Sequence, residues 1–156
     1  MSQLTDEAAR KDLMNRLKRA PAALPEHAGT GERGLIVSAG AQADGNCRVG
    51  LINPRRKLGL ELVYPAMALP RLAHWQHFGP RGSYVTALEP FYGSLLGRAR
   101  DCHATVDSML APGESRFYSL RLRVLRTTSD FAQLASCDGT VEPAEKCDRP
   151  RQLPPA

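Results

Sequence analysis

Residues Leu72–Gly97 read LAHWQHFGPRGSYVTALEPFYGSLLG. Two apolar and aromatic runs flank Gly79-Pro80-Arg81-Gly82, a string of turn formers. The pattern predicts strands over Leu72–Phe78 and Ser83–Leu88 joined by that turn. Side chains alternate along a strand, so Trp75 and His77 share one face and His74 and Gln76 the other. In the second run Val85, Ala87 and Glu89 share a face, and Tyr84, Thr86 and Leu88 take the opposite one. Glu89 stands at the end of its run, immediately before Pro90. A buried carboxylate without a partner is costly, so Glu89 is expected to face water, a cation or a ligand.

Upstream the same period of two recurs. Gly34–Ala39 is an expected strand, and Asp44-Gly45 is a hairpin signal. Cys47, Val49 and Leu51 alternate with Arg48, Gly50 and Ile52. After the turn Asn53-Pro54-Arg55-Arg56, where Asn53 shapes the turn, Leu58, Leu60 and Leu62 alternate with Gly59, Glu61 and Val63. Pro65 and Pro70 bound an irregular link. Downstream, Pro112-Gly113 opens the clearest alternation, with Tyr118, Leu120, Leu122 and Val124 against Ser119, Arg121 and Arg123. Several short strands between turns predict an all-β fold, an antiparallel β-sandwich over residues 32–135. Residues 1–31 are expected to form a short N-terminal helix, capped at Thr5 and running to Arg19, followed by a linker rich in Pro, Gly and Ala. Residues 136–156, polar and ending RPRQLPPA, are expected to be a disordered tail.

A chain of 156 residues suits one domain. The net charge is +5, with arginines scattered rather than striped among aromatics, which argues against a nucleic-acid partner. No apolar stretch is long enough to span a membrane, and MSQLTDEAARKDL lacks the apolar core of a secretory signal, so a cytoplasmic location is expected. Cysteines 47, 102, 137 and 147 form no Cys-x-x-Cys pair, which predicts reduced thiols and no zinc site. Asp101, Cys102, His103 and Asp107 fit no metal-ligand spacing.

The candidate site residues follow from the two central strands. Glu89, an acid beside small neighbours that leave room for a ligand above the sheet, is the first of them. The lone Trp75 offers a ring face on which a sugar stacks, although core or rim packing is the commoner use of a tryptophan. His77 and Gln76 flank it, and His titrates near neutrality. Arg98, beside Gly97, either holds an oxygen ligand, pairs with Glu89 or lies in solvent.

Several segments in order resemble the aldose 1-epimerase (galactose mutarotase-like) superfamily. They are Val49-Gly50-Leu51-Ile52-Asn53-Pro54, Leu58-Gly59-Leu60, Leu69-Pro70-Arg71-Leu72 with Trp75-Gln76, Leu88-Glu89-Pro90, Gly97-Arg98 and Leu110-Ala111-Pro112-Gly113-Glu114. The resemblance covers residues 46–126 and looks closest to a bacterial epimerase-like branch of unknown function. It implies part of a large antiparallel supersandwich that binds sugars on one sheet and interconverts their anomers. In that chemistry a carboxylate takes the anomeric proton while an imidazolium protonates the ring oxygen, without metal or cofactor. A glutamate is ionised at neutral pH and a histidine is a suitable acid. By position Glu89 matches the family base.

The resemblance corresponds to the C-terminal half of family members, whose acidic histidines lie in the other half. His74 and His77 do not match them by position. A half-sandwich exposes apolar surface, so the resemblance implies a homodimer or a partner chain that completes the fold. The alternative reading is a sugar-binding module without catalysis, or a truncated remnant.

Overall fold

The computed structural model describes residues 15, 17–29, 31–80, 82–93 and 110–137. They form two three-stranded antiparallel sheets and one α-helix. The first sheet, in the order β1-β4-β5, contains β1 (Arg33–Val37), β4 (Arg71–Phe78) and β5 (Tyr84–Phe91). The second, in the order β2-β3-β6, contains β2 (Asn46–Asn53), β3 (Leu58–Pro65) and β6 (Arg121–Leu125). Helix α1 spans Thr128–Ala135.

The antiparallel all-β architecture is as expected, and the ends of several elements differ. Strand β5 does not stop before Pro90 but runs through it to Phe91. Because β5 is the edge of its sheet, the missing proline N–H can fall on the unpaired side. Strand β6 is paired only from Arg121, although the alternation begins at Tyr118. Its partner β3 ends at Pro65, which brings no N–H to extend the ladder. The Asp44-Gly45 turn does form, with Gly45 at φ 76° and the Asp44 carboxylate accepting from Asn46 N–H at 3.0 Å. It closes a single bridge, Ala41 to Cys47, and the strands on either side of it join different sheets. At the β2–β3 turn the Asn53 carboxamide accepts from Arg56 N–H at 3.1 Å, as its turn-shaping role requires.

Most of Thr5–Arg19 lies outside the described residues, and the expected N-terminal helix is not borne out. The first complete element is a single 3-10 turn, Pro25–His27. The α-helix instead lies near the C-terminal end of the described residues. Thr127 caps it: its hydroxyl accepts from Asp130 N–H at 3.0 Å, and the Asp130 carboxylate accepts from Thr127 N–H at 3.2 Å. The Thr127 hydroxyl donates to the Asp130 carboxylate at 2.7 Å, and this bond, with those from the Thr127 and Arg126 backbone N–H groups, holds Asp130 below the usual carboxylate range.

One face of the second sheet packs under α1. The row Gly50, Glu61, Arg123 crosses β2, β3 and β6, and Leu134 of α1 sits above Gly50. Glu61 is only 1% exposed. Its carboxylate meets Arg123 Nε at 2.9 Å and Arg48 Nη1 at 4.0 Å, and Arg123 reaches on to Asp130 of α1 at 3.5 Å. On the opposite face Cys47, Tyr64 and Leu69 form a buried cluster with Val49 and Leu62 at its border. The Cys47 thiol donates to Ala39 C=O at 3.0 Å, and burial pushes its pKa up, so it packs as a protonated thiol. Farther along that face the row Leu51, Leu60, Val124 is open to solvent, as are Leu58 and Leu122.

Candidate functional site

Strand β4 is the centre of the first sheet, and its register fixes what its neighbours can reach. Trp75 lies between Gly34 of β1 and Ala87 of β5. Ala73 lies opposite Glu89, and His77 opposite Val85. Trp75, His77 and Glu89 therefore share one face, with Glu89 diagonal to Trp75, a spacing of about 7–8 Å. The neighbours Gly34, Ala73 and Ala87 are small. A Cβ added at Gly34 would meet nothing within 4 Å, so there is open space beside the indole.

Glu89 is exposed, and among the described residues it has no ion-pair or hydrogen-bond partner. The Trp75 and His77 rings lie 5.9 Å apart at 52°. Trp75 Nε1–H donates to the Glu32 carboxylate at 2.8 Å, which fixes the indole. His77 Nε2 is buried with no hydrogen-bond partner among the described residues, and the ring meets the edge of His27 at 6.3 Å. His27 is itself fixed, since its Nδ1 accepts from Phe78 N–H at 3.0 Å. The face thus carries one unpaired carboxylate, one anchored indole and one imidazole whose Nε2 is buried. The carboxylate can accept a proton from a hydroxyl, and the indole can stack against an apolar ring face.

Gln76 does not join this group. It points to the opposite face and is 3% exposed. There it neighbours His74, whose Nε2 lies 2.9 Å from the Thr86 hydroxyl. That hydroxyl donates its own proton to Trp75 C=O at 2.7 Å, so His74 Nε2 is the donor to it. Arg98 lies outside the described residues, as do Asp101, Cys102, His103 and Asp107. Among the described residues no cluster of His, Cys, Asp and Glu could hold a metal ion, and no helix is long and apolar enough to cross a membrane.

Glu32 and His27 carry no signal in the sequence. Glu32 lies 43 positions from the indole it holds, a distance no local pattern bridges.

Burial lowers the pKa of His74 from 6.5. The unfolded chain therefore binds a proton at His74 that the folded chain resists. Stability is expected to be level above about pH 6.5 and to fall as the pH drops below it, by up to about 1.4 kcal/mol per pH unit for one such group. Urea unfolding of wild type and His74→Gln between pH 5 and 8 checks this; an identical acid slope in both would remove His74 as its source.

The folded unit is thus an all-β protein of paired antiparallel sheets, with an acid–aromatic face on one of them. The chain belongs to the family described as a domain of unknown function (DUF4432), whose model matches residues 2–124. No curated protein and no solved structure matches it.

Proposed function

We propose that the β4–β5 face binds a small-molecule sugar and that Glu89 acts there as the general base of an aldose 1-epimerase type of reaction, interconverting anomers. The observation that carries this reading is the shared face of Glu89, Trp75 and His77, with the carboxylate exposed and unpaired beside an anchored indole. A sugar laid on the indole would present its hydroxyls toward Glu89, the geometry that proton abstraction needs. His77 Nε2 is buried, so it is not assigned as the acid that protonates the ring oxygen. Without an effective acid the face is a binding module, and this is the alternative. Gln76 is not part of the proposed sugar face.

The exposed leucine and valine row of the second sheet supports a covering chain, either a second copy or a separately encoded partner. Sedimentation velocity distinguishes them, since the second-copy form predicts a concentration-dependent dimer and a monomer throughout contradicts it.

Polarimetry on freshly dissolved aldoses tests catalysis. Wild type is expected to speed equilibration, and Glu89→Gln to reduce the rate by about 10²-fold or more, as loss of a positioned base does. Equal rates for the two proteins would remove Glu89 from the mechanism.

A further inference from the structure

On the side of the first sheet away from Glu89, residues of the segment from Arg19 to Glu26 line an open cleft of about 440 Å³ against the strands. Its wall is tied down at several points. Leu24 N–H donates to Phe78 C=O at 2.7 Å, the Tyr84 hydroxyl donates to Pro21 C=O, and Phe78 N–H donates to His27. The volume is that of a small-molecule site.

The lining mixes apolar Pro21 and Leu24 with polar and charged groups, among which two arginines outnumber one glutamate. Arg33 and Gln76 stand directly opposite each other in the β1–β4 register and both line the cavity, together with Arg19 and Glu26. Arg33 is half-buried, and among the described residues neither it nor Arg19 is held in an ion pair. Gln76 is 3% exposed, yet its amide nitrogen has only long contacts to the His74 ring nitrogens, at 3.4 and 3.5 Å. A buried carboxamide and a half-buried guanidinium facing one cavity leave donors that a ligand with strong acceptor oxygens would satisfy.

We propose that this cavity binds a small oxyanion, the carboxylate or phosphate group of a metabolite-sized molecule, held by Arg33 and Arg19 with the Gln76 amide at its base. Guanidinium groups pair with such oxygens in a two-pronged fashion that lysine cannot match. Glu26 on the rim opposes the anion, so its charge sets a ceiling on affinity. The site is independent of the proposed sugar face, because residues 33 and 76 point away from Glu89.

An NMR titration of the full chain, following the Gln76 side-chain amide, tests this with inorganic phosphate and, separately, succinate. Saturable shifts with at least one probe are expected, and the probe that saturates identifies the oxyanion group. Arg33→Gln and the more exposed Arg19→Gln are expected to weaken binding, Arg33→Gln by about tenfold. Glu26→Gln is expected to tighten it by about twofold to threefold, a gain that misfolding cannot mimic. Glu89→Gln is expected to leave it unchanged, so failure of the sugar reading and failure of this one are separable. Absence of saturation with both probes, or wild-type affinity in Arg33→Gln, would overturn the proposal.

Discussion

Arg123→Ala is expected to cost about 2–3 kcal/mol of folding stability, a fall in Tm of roughly 5–10 °C for a domain of this size. The reason lies in an asymmetry. Glu61 is 1% exposed, and Arg123 is the only basic group within 3 Å of its carboxylate among the described residues. Removing the arginine leaves a buried charge facing Arg48 alone at 4.0 Å. It also cuts the link from the sheet to Asp130 of α1. The figure is below that for a fully buried pair because the Arg123 side chain is 41% exposed and partly screened. Removing the charge as well reverses most of the loss, since Glu61→Leu combined with Arg123→Ala leaves no ion to desolvate. Thermal unfolding of the two variants decides the matter. A double variant less stable than Arg123→Ala alone would show that the carboxylate, not its isolation, holds this region together.

Gly50→Ala is expected to be comparably damaging, at about 2–3 kcal/mol, for a steric reason. A Cβ at this position would lie 2.3 Å from the Leu60 carbonyl oxygen and 2.6 Å from Leu134 Cδ2. The leucine can swing aside, but the carbonyl belongs to the β2–β3 ladder and can move only by opening it. Leu134→Ala should therefore relieve part of the loss and not all of it. Gly34→Ala is the matched control: a Cβ there meets nothing, and the substitution should be neutral or slightly stabilising because it restricts the unfolded chain. Denaturant midpoints for Gly50→Ala and Gly34→Ala should separate clearly; similar midpoints would mean that the sheet yields at Gly50.

Both variants act where α1 meets the second sheet, the region least visible in the amino-acid sequence. The strands were legible because one face of each carries a run such as Leu58, Leu60 and Leu62, and a period of two has no helical reading. The faces of β4 are legible for the same reason, since alternation alone separates Trp75 and His77 from His74 and Gln76. Helix α1 was not, because its signal is the short Thr127–Asp130 capping box followed by only eight helical residues. The partition into two sheets was hidden too. Asp44-Gly45 looks like the turn of an ordinary hairpin, but the chain leaves it into another layer, a choice set by burial of Cys47 against Tyr64 and Leu69. Pro90 hides the true end of β5, since proline stops a central strand but not an edge one. Contacts that anchor the candidate site, Glu32 to Trp75 and His27 to Phe78, join positions far apart in the chain and leave no local trace.

The chain has a single tryptophan, and it stands on the proposed sugar face, so its emission reports on that face alone. A fluorescence titration of the full chain with a panel of aldoses tests the central claim most directly. The account predicts a saturable change for at least one sugar, weakened in Glu89→Gln and retained in Arg33→Gln, whose side chain lies on the opposite face. A signal that stays flat across the panel would contradict it.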